Sequence, residues 1–295
     1  MRIITRPAEL RGLSRRARQS GMTVGFVPTM GSLHEGHLSL IRRARSEHHR
    51  IAVSVFVNPL QFGPREDFTR YPRDEVRDVR LCRDAGCDWF FLPRVRALYS
   101  HGFTTTVDPG PVADLWEGVE RPGHFRGVAT VVLKLLNLVE PDAVYLGQKD
   151  IQQARILQGM AHDLDIPVRV IVCPTIRERD GLALSSRNVY LDAGERARAP
   201  GLIRAMREGR ALAREGVTNA RRILARVRST LKREARPDRV DYLALVDPTT
   251  LQPVASVDKG GAFLLGAIRL GKTRLIDNLY FRARAPKKPK KKARR

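Results

Sequence analysis

Val24-Gly25-Phe26-Val27-Pro28-Thr29-Met30-Gly31-Ser32-Leu33-His34-Glu35-Gly36-His37 joins a short buried strand to a helix, and this junction decides the fold. Val24, Phe26 and Val27 read as the strand, Pro28 as its end, and Gly31 as the point where the backbone turns closely under a ligand. A helix is expected from about Leu33, with Leu38, Leu40 and Ile41 on its inner face. Unpaired N–H groups and the dipole at a helix N-terminus favour an anion. His34 and His37, three residues apart on one face, add donors for oxygens that gain charge during phosphoryl or nucleotidyl transfer. Histidine pairs at this spacing also occur on solvated helices; the preceding strand and the Pro-Thr-Met-Gly turn favour the functional reading. As a rim residue, His37 is expected to contribute little to packing.

Working outward, the first part of the chain alternates strand and helix signals. Strands are expected near 24–28, 51–57, 89–92, 143–146 and 168–173, and helices near 8–20, 34–47, 73–85, 128–139 and 151–164. This pattern predicts an α/β fold: a Rossmann-like parallel sheet with helices on both faces. In such sheets ligands bind beyond the carboxyl ends of the strands, where strand order reverses. The loops at 58–63, 147–150 and 174–176 would then join the histidine loop on one rim. Gly147, Gln148, Lys149 and Asp150 supply a glycine for close approach, a mobile cation for phosphates and a helix start. Gln61 and Gln153 can donate and accept, which suits a small hydroxy acid, although an isolated glutamine is usually just solvated. The polar stretch 177–188 contains Leu184, Ser185, Ser186 and Arg187, two hydroxyls and a forked cation suited to clamping a polyphosphate. After Asp180 the pattern changes to helices near 194–215 and 219–235 and strands near 240–246, 262–270 and 274–276, a smaller C-terminal α+β domain. Asp277-Asn278 reads as a turn after the last strand.

The 295 residues carry a net charge of +23 and are 42% hydrophobic in short runs. None approaches the ~20 apolar residues needed to cross a bilayer. The first ten residues do not read as a signal peptide, so a cytoplasmic location is expected. Cys82, Cys87 and Cys173 have no zinc spacing and read as reduced thiols. Residues 282–295 hold nine Lys or Arg and no acid, so the remainder carries +14 (+23 minus nine). The tail is expected to be disordered and to bind polyanions without specificity; aromatic content is only 6%, so a base-stacking surface is not expected.

Seven stretches in order, PTMGSLHEGH (28–37), VFVNPLQFG (55–63), YPR (71–73), RPGHFRGV (121–128), GQKDIQQ (147–153), DGLALSSRN (180–188) and RLIDN (274–278), resemble the pantothenate synthetase (pantoate–β-alanine ligase) family of HIGH-motif nucleotidyltransferases. The resemblance covers about residues 1–281. It implies that pantoate attacks the α-phosphate of ATP, with Mg²⁺, to give pantoyl adenylate and pyrophosphate, and that the β-alanine amine then displaces AMP to yield pantothenate. It assigns Met30, Gly31, Ser32, Leu33, His34, Glu35, Gly36 and His37 to ATP, with His37 as proton donor. Gly147, Gln148, Lys149 and Asp150 hold ATP, Ile176 meets the adenine, and Leu184, Ser185, Ser186 and Arg187 close over the phosphates. His34, His37, Lys149, Ser185, Ser186 and Arg187 are the catalytic candidates, and Gln61 and Gln153 hold pantoate. Arg121 and His124 are placed near the rim, in a segment linked to subunit contact and site shape. The family often has glutamate where Gln148 stands. Metal ligands stay open, with Asp150 and Asp78 as unassigned candidates. The implied organisation is a nucleotide- and pantoate-binding domain over 1–175, a lid domain over 176–281 and a homodimer paired through the first domain. Partners are small molecules, with neither membrane nor specific nucleic acid. The rival readings are a fragment of another HIGH-type enzyme that contacts RNA, and a non-enzymatic polyanion binder.

Overall fold

Runs such as Ile51-Ala52-Val53 are apolar at successive positions, and a strand can carry them only when both of its faces are covered. The computed structural model describes residues 1–64 and 66–283. Six strands, β1 (Arg2–Ile4), β2 (Val24–Thr29), β3 (Arg50–Val55), β4 (Trp89–Phe91), β5 (Ala143–Gly147) and β6 (Arg169–Cys173), form a parallel sheet in the order β1-β4-β3-β2-β5-β6. Its helices are α1 (Pro7–Gln19), α2 (Glu35–Arg45), α3 (Glu75–Asp84), α4 (Val95–Leu98), α5 (Glu117–Glu120), α6 (His124–Val139) and α7 (Ile151–Asp163). Leu40, Ile41 and Ala44 of α2 and Cys82 of α3 pack with Val27, Val53 and Tyr145 on one face. Phe26, the next residue along β2 from Val27, points to the opposite face. There α1 and α6 contact β2, and α7 packs on α6.

Strand order reverses at β2. It pairs with β3 through all six of its residues, Pro28 and Thr29 included, but with β5 only at Gly25 and Phe26. Pro28 therefore lies inside the strand instead of ending it. β2 and β5 part toward their carboxyl ends, and the loops that leave them flank that crevice.

The second unit comprises Asp180–Leu182 and the chain from Tyr190 onward. β7 (Arg239–Val246), β8 (Ala262–Leu270) and β9 (Thr273–Phe281) form an antiparallel sheet in that order, covered by α9 (Gly201–Arg214) and α10 (Ala220–Glu234), with α8 (Ala193–Arg198) preceding them. The single helix expected over 194–215 is split at Pro200, which lacks the N–H a continuous helix needs. Asp277 and Asn278 are buried inside β9, opposite Gly266 and Leu265, so the expected turn is corrected to a strand. The short sequence signal at 274–276 marked only the first part of a nine-residue strand. Arg274 of the same motif, with Arg239 and Arg269, surrounds the buried carboxylate of Asp241 next to a β-bulge.

The expected boundary at 175/176 also differs from the structure. Residues 176–179 and 183–189 group with the first unit, because Leu184 N–H bonds the Ile176 carbonyl at 3.0 Å and Arg187 and Ser186 bond residues of the first sheet's loops. Cys82, Cys87 and Cys173 are unpaired and buried. The expectation of a disordered tail over 282–295 falls, from residue 284 on, outside the described residues.

Candidate functional site

The turn after β2 is fixed by its own backbone chemistry. Gly31 at φ +83° and Ser32 at φ +50° are both left-handed. A Cβ on Gly31 would come within 2.9 Å of Val55 Cγ1, so close approach as well as φ demands glycine. The buried Asp78 carboxylate, from α3, accepts Ser32 N–H at 2.9 Å and Leu33 N–H at 2.7 Å. Thr29 Oγ1 accepts Gly31 N–H at 3.2 Å, and Arg77 Nη1 donates to the Leu33 carbonyl at 3.1 Å.

The helix begins two residues later than expected, with His34 as its N-cap in extended geometry. His34 Nδ1 accepts Gly36 N–H at 3.2 Å, and His37 Nδ1 accepts His34 N–H at 3.3 Å, a reciprocal capping box built from two imidazoles. Their ring centroids are 4.1 Å apart. The premise of unpaired amides facing an anion is thereby corrected for Gly31, Ser32, Leu33, His34 and Gly36, which all spend their N–H groups internally. Burial, assisted by Lys149, holds the His34 pKa at about 4. Burial, then His34 and Lys149, holds His37 at about 3. Both rings are neutral at pH 7 with Nδ1 accepting, so the proton sits on Nε2. Each imidazole thus offers an Nε2–H donor. His37 is partly buried and caps the helix, so the expectation that it contributes little to packing is corrected as well.

Gln61 is buried and held from three sides. Asn58 Nδ2 donates to Gln61 Oε1 at 3.0 Å, while Gln61 Nε2 lies 3.1 Å from Met30 Sδ. Its carbonyl accepts His124 Nδ1–H at 2.8 Å, and His124 Nε2 in turn faces Arg121 Nη1 at 3.0 Å. Burial, then Arg121, holds His124 at about 4, which matches this neutral tautomer. Asn58 Oδ1 accepts Tyr99 Oη–H at 2.8 Å, and Asn58 Nδ2 reaches the Gly127 carbonyl at 3.1 Å. A Cβ on Gly127 would lie 2.2 Å from the Leu60 oxygen, so α6 meets the 59–61 turn backbone against backbone.

Among the described residues no atom outside its own chain neighbours lies within 4 Å of where a Cβ on Gly147 would stand. Lys149 Nζ is 3.6 Å from Asp150 Oδ1, and its charge is felt by both His34 and His37. Gln152, next to the predicted Gln153, is a structural staple: its amide bonds Glu117 N–H and the carbonyls of Val112 and Leu115 at 2.8–3.0 Å. The Gln153 amide has no hydrogen-bond partner among the described residues. Ser186 Oγ donates to the Ser32 carbonyl at 3.1 Å. Leu184 Cβ lies 4.0 Å from the Cβ position of Gly36. Ser185 Oγ accepts Arg187 N–H at 3.3 Å, and the Arg187 guanidinium forks onto Asp67 beside Tyr71.

The histidine turn, Gln61, Lys149 and the serine–arginine segment therefore sit around the carboxyl end of β2. Asn58 lies in the expected rim loop 58–63 and Tyr71 in the YPR stretch, but the bonds they make, together with Asp67 and the clamping role of Asp78, were not legible. Asn58 before Pro59 carried a local turn signal, but Asp78 lies in a charged helical run that reads as solvated. With both Asp78 oxygens on backbone amides, its candidacy as a metal ligand weakens. Among the described residues no group of three or more His, Cys, Asp or Glu is arranged to hold a metal. No described helix is long and apolar enough to cross a membrane.

A family model described as pantoate-beta-alanine ligase matches residues 2–280. The pantothenate synthetase of Rubrobacter xylanophilus is 51% identical over 283 residues, covering 94% of this chain and 97% of that one. A crystal structure of the pantothenate synthetase of Thermus thermophilus superposes with a TM-score of 0.89 at 49% identity, covering 95% of this chain and 99% of that one. Another, of the Francisella tularensis pantoate-beta-alanine ligase complexed with beta-gamma ATP and beta-alanine, superposes with a TM-score of 0.78 at 33% identity, covering 95% and 97%.

Proposed function

As a member of the pantoate–beta-alanine ligase family the chain makes pantothenate from pantoate and β-alanine, and we propose that it does so through a pantoyl adenylate formed from ATP at the rim around β2. In the first step a pantoate carboxylate oxygen bonds to the α-phosphorus of ATP while the bond to pyrophosphate breaks. In the second the β-alanine amine bonds to the acyl carbon, AMP leaves with the bonding electron pair, and the amine gives up a proton.

The observation that carries this reading is the pair of neutral imidazoles with Nδ1 occupied and Nε2–H free to donate. Donors of this kind stabilise charge on phosphate oxygens without first giving up a proton, each at about 10²–10³-fold in rate. The negative charge of a bound triphosphate raises an imidazole pKa, which supports His37 as the proton donor of the family pattern. Lys149 neutralises phosphate charge, and Ser185 and Arg187 clasp the chain of phosphates, joined by Ser186 when its hydroxyl exchanges the Ser32 carbonyl for a phosphate oxygen. Met30 to His37, Gly147, Gln148, Asp150, Ile176 and Leu184 complete the nucleotide contacts, and Gln61 and Gln153 hold pantoate. Among the described residues no carboxylate or histidine cage forms, which fits Mg²⁺ carried chiefly on phosphate oxygens, with Asp150, half-exposed beside Lys149, able to touch its water shell. When bound, that ion would neutralise phosphate charge. A homodimer and a cytoplasmic location are part of the same proposal; sedimentation tests the first and fractionation the second.

The test is pyrophosphate release from ATP and pantoate without β-alanine. The expected result is about one equivalent per site, followed by AMP only when β-alanine is added, and unchanged by deletion of residues 282–295. AMP without β-alanine, or no pyrophosphate until β-alanine is present, overturns the two-step reading.

A further inference from the structure

Glu66 and Asp67, neighbours in the chain, each grip an arginine from a different loop. Glu66 takes Nε–H and Nη2–H of Arg121 at 2.9 and 2.6 Å, and Arg121 Nη2 also reaches the Gln61 carbonyl at 3.3 Å. Asp67 takes Nε–H and Nη2–H of Arg187 at 3.0 and 2.8 Å. The guanidinium carbon of Arg187 stands 5.8 Å from the centre of the Tyr71 ring. A guanidinium has five N–H donors, and the Asp67 fork uses two of Arg187's. Both Nη1–H groups and one on Nη2 have no partner among the described residues.

A fork with an aromatic ring beside it fixes the guanidinium where a single hydrogen bond leaves it free to rotate. We propose that Asp67 is a positioning residue for Arg187, holding it so that its unused Nη1 edge is presented to the phosphates of ATP during adenylate formation. The inference rests on the assignment of Arg187 to those phosphates. Arg187 sits on a long, rotamer-rich side chain, so fixing it beforehand removes ordering cost from the transition state. Phosphate contacts to the leaving pyrophosphate exist only in the first step; Asp67 therefore acts there and not on the aminolysis of a preformed adenylate.

The experiment measures the two half-reactions separately in the full chain. Asp67→Asn keeps one acceptor oxygen and loses the charge and one arm of the fork. Pyrophosphate release from ATP and pantoate is expected to fall about tenfold, the worth of one charge-assisted hydrogen bond. Pantothenate formation from supplied pantoyl adenylate and β-alanine stays within about twofold. In an Arg187→Ala background, Asp67→Asn adds no further loss, because its effect passes through that side chain. Asp67→Glu, which keeps both oxygens on a longer arm, recovers most of the loss. Equal losses in both half-reactions, or an additive loss on top of Arg187→Ala, overturn the proposal. Arg187→Ala with full adenylation removes the assignment of Arg187 itself, and this inference with it; impaired Arg187→Ala with unimpaired Asp67→Asn removes the inference alone.

Discussion

Replacing His37 separates two functions that the imidazole performs at once. Its Nδ1 accepts the His34 N–H at 3.3 Å and so closes the capping box of α2, while its Nε2–H faces the proposed phosphates. His37→Ala deletes both functions. Losing the cap costs about 1 kcal/mol, by comparison with other N-terminal caps. For a chain of this size that lowers Tm by about 2–4 °C. His37→Gln deletes only the second function, because a glutamine at the third helical position can reach back to the N-cap amide. Its Tm should stay within about 1 °C of the parent, from a residual cap difference of a few tenths of a kcal/mol. Its rate of pantoate-dependent pyrophosphate release should nevertheless fall about 10²–10³-fold, or about 2.7–4 kcal/mol in the barrier. Differential scanning calorimetry and a single-turnover pyrophosphate assay read the two effects separately. A Gln variant that melts as early as the Ala variant refutes the capping argument. One that forms adenylate within threefold of the parent rate refutes the donor argument.

Other outcomes follow from the same geometry. Gly127→Ala drives a Cβ to 2.2 Å from the Leu60 oxygen; we expect about 1–3 kcal/mol of destabilisation and a raised pantoate KM as the 59–61 turn shifts, checked by urea melts and steady-state kinetics. Gln153→Ala should raise the pantoate KM more than the ATP KM with Tm unchanged, whereas Gln152→Ala should cost about 1–3 kcal/mol, since it strands the buried groups its amide now satisfies. His124 titrates lower folded, at about 4, than its ordinary 6.5, so the unfolded chain binds its proton first. Its contribution to stability is whole above about pH 6.5 and is lost as pH falls through about 4; Tm against pH should drop across that window, less steeply in His124→Gln, with the depressed His34 and His37 supplying the drop that remains.

The sheet was legible because its inner strands are continuous apolar runs and its helices carry clean 3.6-residue periods. β1 was not, since only Ile4 of its three residues is buried, too short a signal for any period. Pro28 reads as a terminator from sequence, but its effect depends on which neighbour the strand has at that point, and β5 has already parted from β2 there. In the site, the histidines, Lys149 and the serine–arginine segment stood out because they cluster in short polar loops next to buried strands. The fate of the amides in the turn before the helix was invisible: Asp78, which takes those of Ser32 and Leu33, lies 45 residues or more further along the chain. Gln152 and Gln153 look alike in sequence, and only the packing around α7 distinguishes the staple from the free amide.

The central claim is that two neutral imidazoles, with their Nδ1 atoms spent on the helix cap, turn Nε2–H donors toward one nucleotide. Long-range ¹H–¹⁵N correlation spectra of histidine-labelled protein, recorded at pH 7 with and without a non-hydrolysable ATP analogue, read this directly. The account predicts the Nε2–H tautomer for both His34 and His37 in the free chain and a shift of both Nε2 resonances on nucleotide binding. Nδ1–H tautomers, or resonances that do not move when the nucleotide saturates, contradict it.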